Sequence, residues 1–516
     1  MTRADSTLNL PHADGRKMHL RATRCALAAA LPAALSALLA SCAVGPDFTR
    51  PEPPAVERYT ATPPPLTAME ADGKTQVFKP GAAVASEWWR LFNSAELDAA
   101  VHLAMEGNAT LQSAQASLRQ SQESLKAGYG VFYPSVGLGF AATRQRVSPF
   151  GLGFGAALGV FNLYTLSTTV SYVLDVFGGE RRAVEGLAAQ ADYQRYTMFA
   201  TFLTVSGNVV NTLIARAAYV EQIRATEELI ALQTEQLEIA RAQASAGTAS
   251  YASVLSVQGQ LATSRATIPV LRQRRDQADH LLASLVGRTP AEWQAPALDF
   301  ASLSLPQELP LSLPSELVRQ RPDILAAEAQ LHAASAGLGV ATAALFPSFT
   351  LNGTYGANNN TIGNLTNSND RFWSAGAGVE FPLFEGGASW YRKEAAAEAY
   401  RKSLADYRQA ILSAFAQVAD TLTALEHDAQ GVQAQADAVN SAEQALHLLQ
   451  ANYRAGLVSY VDVLVADAQF HQAKIGYLQT VAQRYQDTTA LFLALGGGWQ
   501  DLPLARSTPP SKEPGP

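Results

Sequence analysis

Side chains able to do chemistry are spread thin along this chain. Beyond the first fifty residues the histidines are His102, His280, His332, His427, His447 and His471, with no His-x-x-x-His pair and no cysteine beside them. That spacing supplies no metal site. Gly151, Gly153, Gly155 and Gly159 make a glycine-rich stretch, but no helix opens behind it, so a nucleotide cradle does not follow. There is no Ser-His-Asp logic and no Walker lysine. The expectation is a protein that is not an enzyme and holds no metal and no cofactor. Formal net charge is −7 and only 16% of residues are charged, which is no nucleic-acid footprint.

Cys42 is the side chain that does ask for a reaction. Arg16, Lys17, Arg21 and Arg24 precede an apolar stretch from Cys25 to Leu39, and a small-residue junction follows. This is the build of an export signal. The junction Leu39-Ala40-Ser41-Cys42 resembles the bacterial lipobox, which implies residues 1–41 as a signal peptide of the lipoprotein type and lipidation of the Cys42 thiol. An ordinary signal peptide with an incidental Cys42 is the alternative. Cleavage there leaves Cys42 as the sole cysteine, so no disulfide framework explains it. Several acyl chains hold a protein to a bilayer far better than one. Ala43, rather than an acidic residue, is similar to lipoproteins sent on to the outer membrane. Met18 is an alternative start that leaves a signal of ordinary length.

The elements that would position such an anchor come twice. Val131-Phe132-Tyr133-Pro134-Ser135 reopens as Leu345-Phe346-Pro347-Ser348-Phe349, about 213 residues later. Phe177-Gly178-Gly179 recurs as Phe384-Glu385-Gly386-Gly387, and Ala246-Gly247-Thr248-Ala249-Ser250-Tyr251 as Ala455-Gly456-Leu457-Val458-Ser459-Tyr460. Three landmarks in one order mean a duplicated unit, with a period far too long for a solenoid. The expected organisation is a lipid-anchored, Pro-rich segment over 42–90, in which Pro46 to Pro65 is an extended tether. A first repeat over 91–288 and a second over 315–499 are joined by a Pro-dotted linker at 289–314, and a disordered tail covers 500–516.

In each repeat a shorter helix, about Ser94 to Gly130 or about Ser315 to Ala344, is followed by two alternating segments of about ten residues. Val136, Leu138, Phe140 and Ala142 alternate with small or polar neighbours, as do Tyr164, Leu166, Thr168, Val170 and Tyr172. Phe349, Leu351, Gly353 and Tyr355, then Trp373, Ala375, Ala377, Val379 and Phe381, do the same in the second repeat. Aromatics toward the ends and long polar loops on one side fit outer-membrane barrel strands; a soluble four-stranded sheet with one buried face is the alternative. Four strands cannot close a barrel, since small barrels need about eight. An open edge in hydrocarbon strands backbone groups at several kcal/mol each. Two, three or four copies would supply about 8, 12 or 16 strands. After residue 40 no apolar run approaches the roughly 18 residues of a spanning helix, so helical insertion is not expected.

Long helices follow, from about Glu180 to Ala246 and about Ala388 to Ala455, each able to reach about 100 Å. Ile223, Ile230, Leu237 and Ala244 form one seven-residue row, and Ala225, Leu232, Ile239 and Ala246 another, displaced by two positions. Two positions are about 200° of helix, so the rows lie on opposite sides. Val432, Val439, Leu446, Tyr453 and Ala434, Ser441, Leu448, Ala455 repeat the pattern. One seam makes a dimeric coiled coil; two opposed seams put a neighbour on each side, like staves in a wall, with Glu227, Glu228, Glu235 and Gln236 among the residues left for wet faces. An ordinary bundle is the alternative.

With these residues in place the chain resembles the TolC-like outer-membrane factors, specifically the NodT-type lipoproteins of tripartite efflux systems. The resemblance rests on Arg319-Gln320-Arg321-Pro322-Asp323-Ile324, Leu345 to Ser348, Pro382-Leu383-Phe384-Glu385-Gly386-Gly387, Ala455 to Tyr460, and Tyr485 to Trp499, and covers roughly residues 40 to 500. It implies an α+β membrane protein: a homotrimeric 12-stranded outer-membrane β-barrel, four strands per chain, continuous with a long periplasmic α-helical barrel, with a two-fold internal repeat. It implies an exit duct for small molecules, with a periplasmic adaptor docking on the helix tips and an inner-membrane RND-type or similar pump beyond. The tips match at Gly247 and at Gly456 with Leu457, while Thr248 replaces a leucine and Ala455 a valine. Relatives place a carboxylate ring after the second tip, which makes Asp462 the stronger gate candidate and Asp467 the weaker, since Val465 occupies the intervening position. Carboxylates crowded around an axis raise one another's pKa and attract cations. A duct for protein export with an ATP-driven partner, against which the lipobox weighs, and a lipid-anchored periplasmic scaffold are the alternatives.

Overall fold

The computed structural model describes residues 44–60, 69–146 and 159–501. The signal peptide, Cys42, the glycines from Gly151 to Gly155 and the tail beyond Asp501 lie outside the described residues. In chain order come β1 (Met69–Ala71), β2 (Lys74–Pro80), α1 (Ala95–Gly107), α2 (Ala109–Gly128), β3 (Ser135–Gln145), β4 (Phe161–Leu174), α3 (Gly179–Ser245) and α4 (Tyr251–Leu285). Then follow β5 (Glu308–Leu311), α5 (Pro314–Gln320), α6 (Pro322–Ala343), β6 (Ser348–Asn359), β7 (Arg371–Glu380), α7 (Ala388–Arg454) and α8 (Tyr460–Ala494). The duplication is close: α3 and α7 both hold 67 residues, and α4 and α8 both hold 35. Two compact units result, one from residues up to Phe48 with Leu125–Leu187 and Ala333–Tyr400, the other from the remainder.

The first unit carries a four-stranded antiparallel sheet in the order β3-β4-β6-β7. Its register aligns the four apolar rows. Val136 sits opposite Val170, Phe140 opposite Leu166 and Ala142 opposite Tyr164. Tyr172 sits opposite Leu351 and Thr168 opposite Tyr355, and Tyr355 opposite Trp373. Directly opposed residues share a face, so one face is continuously apolar. The other carries Ser167, Thr169, Ser171, Asn352, Thr354 and Ser374. The apolar face is largely uncovered among the described residues: Leu138 is 77% exposed and Trp373 76%. The soluble sheet with one buried face is therefore not what forms. β3 and β7 are the edges, without a backbone partner among the described residues.

In the second unit a sheet absent from the sequence expectations forms in the order β1-β2-β5. β2 runs parallel to β5, with Val77 opposite Glu308 and Pro80 opposite Leu311. The chain on either side of the first repeat is thus joined by a ladder. Beside it Trp88 stacks on Phe492 with ring centroids 5.5 Å apart, and Phe92 meets Tyr485 at 6.0 Å.

One seam of α3 packs on α4. Ile223, Ile230, Leu237 and Ala244 pack on Val254, Leu261, Ile268 and Leu271 of α4. On the opposite side the contacts to α8 are polar, with Gln479 Nε2 donating to Gln222 Oε1 at 3.2 Å. Gln236, expected on a wet face, is buried, because the wall closes over that side of α3. In the second repeat Leu446 packs on Val463 and Ala466 of α8, whereas Ala434, Ser441, Leu448 and Ala455 are all exposed.

Two expectations need correction. α3 contains an 18-residue window apolar enough to cross a membrane by length and composition. Most of that window is buried inside the protein, which marks a packed helix. Nor is the Pro-rich stretch a free tether where it is described: it is extended but laid down. Arg50 Nε pairs with Glu328 Oε1 at 2.6 Å. The Tyr59 hydroxyl donates to Ser312 O at 2.8 Å, and its ring meets Phe415 edge-on.

Candidate functional site

Three places bear on function: the chain leaving position 42, the two helix tips, and the acids that follow the second tip. Cys42 itself lies outside the described residues, but Val44 does not. Its N–H donates to Phe177 O at 3.0 Å, just past the end of β4. Gly45 takes φ 99° and presses on Gly339 so closely that a Cβ would come within 2.8 Å of the Gly339 Cα. Asp47 then pairs with Arg182. The residues after Cys42 are thus pinned in the unit that holds the uncovered sheet.

The tips share one geometry. Gly247 N–H donates to Ala244 O and Thr248 N–H to Gln243 O; Gly456 N–H donates to Tyr453 O and Leu457 N–H to Asn452 O. This nested pair of bonds is the Schellman ending of a helix. It places Gly247 at φ 75° and Gly456 at φ 73°, a conformation that an L side chain resists. All four residues are exposed, Leu457 at 74%. A large apolar side chain held out at a rigid turn is available to a partner.

Asp462 and Asp467 lie in different environments. Asp462 closes a capping box at the start of α8: its Oδ2 accepts from the Ser459 N–H at 2.9 Å and from the Ser459 hydroxyl at 2.7 Å. These bonds to Ser459 hold its carboxyl below the ordinary value. It is fully exposed, so the residue is both a cap and a free charge at the turn. Asp467 is mostly buried. Burial raises it, with Glu228 adding to the rise and His471 opposing it. His471 Nε2 is 3.5 Å from Asp467 and its Nδ1 is 3.3 Å from Glu228 of α3. Burial lowers the imidazole pKa although both carboxylates pull the other way. Nearby, Tyr460 bonds Glu235 of α3, and that bond is the first cause of its raised pKa.

Two motifs quoted from the sequence meet in space. Arg321, 6% exposed, donates to both Asp323 oxygens, at 2.9 Å and 2.5 Å, to Gln417 Oε1 at 2.8 Å and to the Ala494 carbonyl at 2.8 Å. Trp499 Nε1 donates to Gln320 O at 2.7 Å, and its ring stacks on Phe199 at 4.4 Å. Between them Gly496, Gly497 and Gly498 all take positive φ, and Gly498 lies so near Val84 O that a Cβ would clash. Arg484, 2% exposed, binds Gln76 Oε1 and Met69 O, seating the small sheet on α8. Spacing alone did not mark these two arginines, because each also depends on partners more than 90 positions away, Gln417 and Ala494 for Arg321 and Gln76 and Met69 for Arg484.

The model of the family described as outer membrane efflux protein matches residues 100–288 and 313–497, both repeats and little else. The chain belongs to this family. The efflux protein is similar to the pyoverdine export outer membrane protein OpmQ of Pseudomonas putida, 29% identical over 417 residues, which covers 80% of this chain and 88% of OpmQ. It is similar to nodulation protein T of Rhizobium leguminosarum, 27% identical over 474 residues, covering 90% and 93%. Among solved structures it resembles the outer-membrane channel OprN, with a TM-score of 0.79, 25% identity, and coverage of 89% of this chain and all of that one. The fold is the TolC-like one of long helices and short strands, and the efflux protein is an outer-membrane channel rather than an enzyme.

Proposed function

We propose that three copies pool their strands into a 12-stranded barrel in the outer membrane, continuous with a helical tunnel in the periplasm. The assembly is the exit duct of a tripartite efflux system and passes small molecules without chemistry of its own. Cys42 carries the lipid anchor. Gly247, Thr248, Gly456 and Leu457 are the docking tips for a periplasmic adaptor, and an inner-membrane RND-type or similar pump supplies the energy. Asp462 and Asp467 are the acids that narrow the closed mouth.

The uncovered sheet supports this reading best. A single copy presents one continuous apolar face and two open edges, β3 and β7. In hydrocarbon, unpaired backbone groups cost several kcal/mol each, and a ring of strands removes every edge. Phe349 and Tyr355 lie about 20 Å apart along β6, close to the height of a barrel's apolar band. The Val44 N–H bond to Phe177 O beside the end of β4 supports the Cys42 assignment, since an acyl chain two positions earlier would lie near the strand ends.

Conductance in planar bilayers tests the duct and its gate together. The expected result is a small conductance for the native protein and a larger one for Asp462→Ala. Ser459→Ala, which loosens the cap and keeps the charge, is expected to leave conductance low. Equal conductance in all three contradicts the gate assignment, and no conductance in any of them contradicts the duct.

A further inference from the structure

α7 and α8 pack together, with Leu446 against Val463 and Ala466, and along them the carboxyls of Asp428 and Asp487 interact. Asp428 is half-buried, and its Oδ2 receives no hydrogen bond from an N–H or O–H donor among the described residues. Asp487 Oδ2 is already engaged by Gln483 Nε2 at 2.9 Å. Two ionised carboxylates are acceptors only, so they cannot satisfy one another. One proton between them supplies the missing donor: the acid O–H of Asp428 donates to Asp487.

The surroundings favour that proton. Arg484 of α8 is the nearby cation, but its guanidinium is spent on Gln76 Oε1 at 2.9 Å and Met69 O at 3.1 Å. On the side of the small sheet Asp72 is bound by the Tyr477 hydroxyl, and Lys74 lies over the Tyr485 ring, 6.0 Å from its centroid. The Arg484 charge pulls the Asp428 carboxyl down, but burial and the Asp487 carboxyl outweigh it. The same place is a structural junction, since the Asp72 N–H also donates to Gln433 Oε1 of α7 at 3.0 Å. Through Gln433, Tyr477 and Arg484 the turn between β1 and β2 grips both helices.

We propose that Asp428 and Asp487 share one proton and act as a pH-sensitive brace that holds α7 to α8 beneath the small sheet. Burial is the first cause raising Asp428, from 3.8 to about 7, and the Asp487 carboxyl adds to it. The sign follows from linkage. A folded-state pKa raised above the unfolded one stabilises at pH below 3.8, and the contribution is lost as pH rises through about 7. Alkalinisation then sets two negative charges against each other and loosens the second hairpin.

Infrared difference spectra and thermal unfolding of the full-length protein in detergent, from about pH 4 to about pH 8, test the brace. The native protein is expected to show a carboxylic-acid carbonyl band that bleaches near neutrality and an unfolding midpoint that falls by several degrees over the same range. Asp428→Asn keeps a donor toward Asp487 without a titrating proton, and is expected to lose both the band and the fall. Asp487→Asn keeps the buried Asp428 acid but removes the carboxylate that adds to its rise, and is expected to move both the band and the fall to lower pH. A native protein with no such band, or asparagine variants that keep the native pH dependence, overturns the proposal.

Discussion

Arg321 is tied by four hydrogen bonds to three residues on three elements, and removing it leaves the Ala494 carbonyl without a donor at the buried end of α8. Arg321→Ala is therefore expected to cost about 1–3 kcal/mol, read as a lowered midpoint of denaturant or thermal unfolding. Arg321→Lys recovers little of it, because an ammonium cannot copy the planar fork. The tip glycines make the converse case, in which backbone rather than side chain is at stake. Gly456→Ala at φ 73° is expected to destabilise the helix end by about 1–2 kcal/mol, with Gly456→Asn milder. Asp462 adds a pH dependence of its own. Its lowered carboxyl stabilises the folded state above the ordinary carboxylate range, and that contribution fades as pH falls through the lowered value. The glycine stops were legible in the sequence, since a helix ending in Ala-Gly needs φ > 0. The capping box was not read there, although Ser459 and Asp462 stand at its spacing. Arg321 appeared only as part of a family motif, because its purpose is fixed by Gln417 and Ala494.

At the scale of the element, two opposed heptad rows were legible because a seven-residue apolar row needs no knowledge of its partner. Which row meets which helix was not. The structure assigns Ile223, Leu237 and their row to α4, and leaves Leu448 and its row on α7 uncovered. Leu261→Ala, in the buried α3–α4 seam, is expected to cost about 2–5 kcal/mol in thermal unfolding of the single chain. Leu448 is mostly exposed within one copy, so Leu448→Glu is expected to change the unfolding of a separated chain little and to weaken assembly, seen as loss of the oligomer on an unheated gel. The small sheet escaped sequence reading for a physical reason. β1 holds 3 residues and β5 holds 4, with Pro310 inside the latter, too short for alternation to register. Only the pairing of β2 with β5 turns them into a ladder.

For the whole molecule the decisive fact is incompleteness. The four apolar rows could be read from period-two alternation, and the pairing register brings all of them to one face. What alternation could not decide was whether that face would be covered by the rest of the chain. It is not, nor are the edges at β3 and β7. On the proposed reading, strands of other copies close this surface and lipid covers it. Native mass spectrometry of the acylated, detergent-solubilised protein tests that requirement most directly. A particle of about three chain masses with bound lipid is the predicted result; a stable single chain that keeps its four-stranded sheet in water would contradict it.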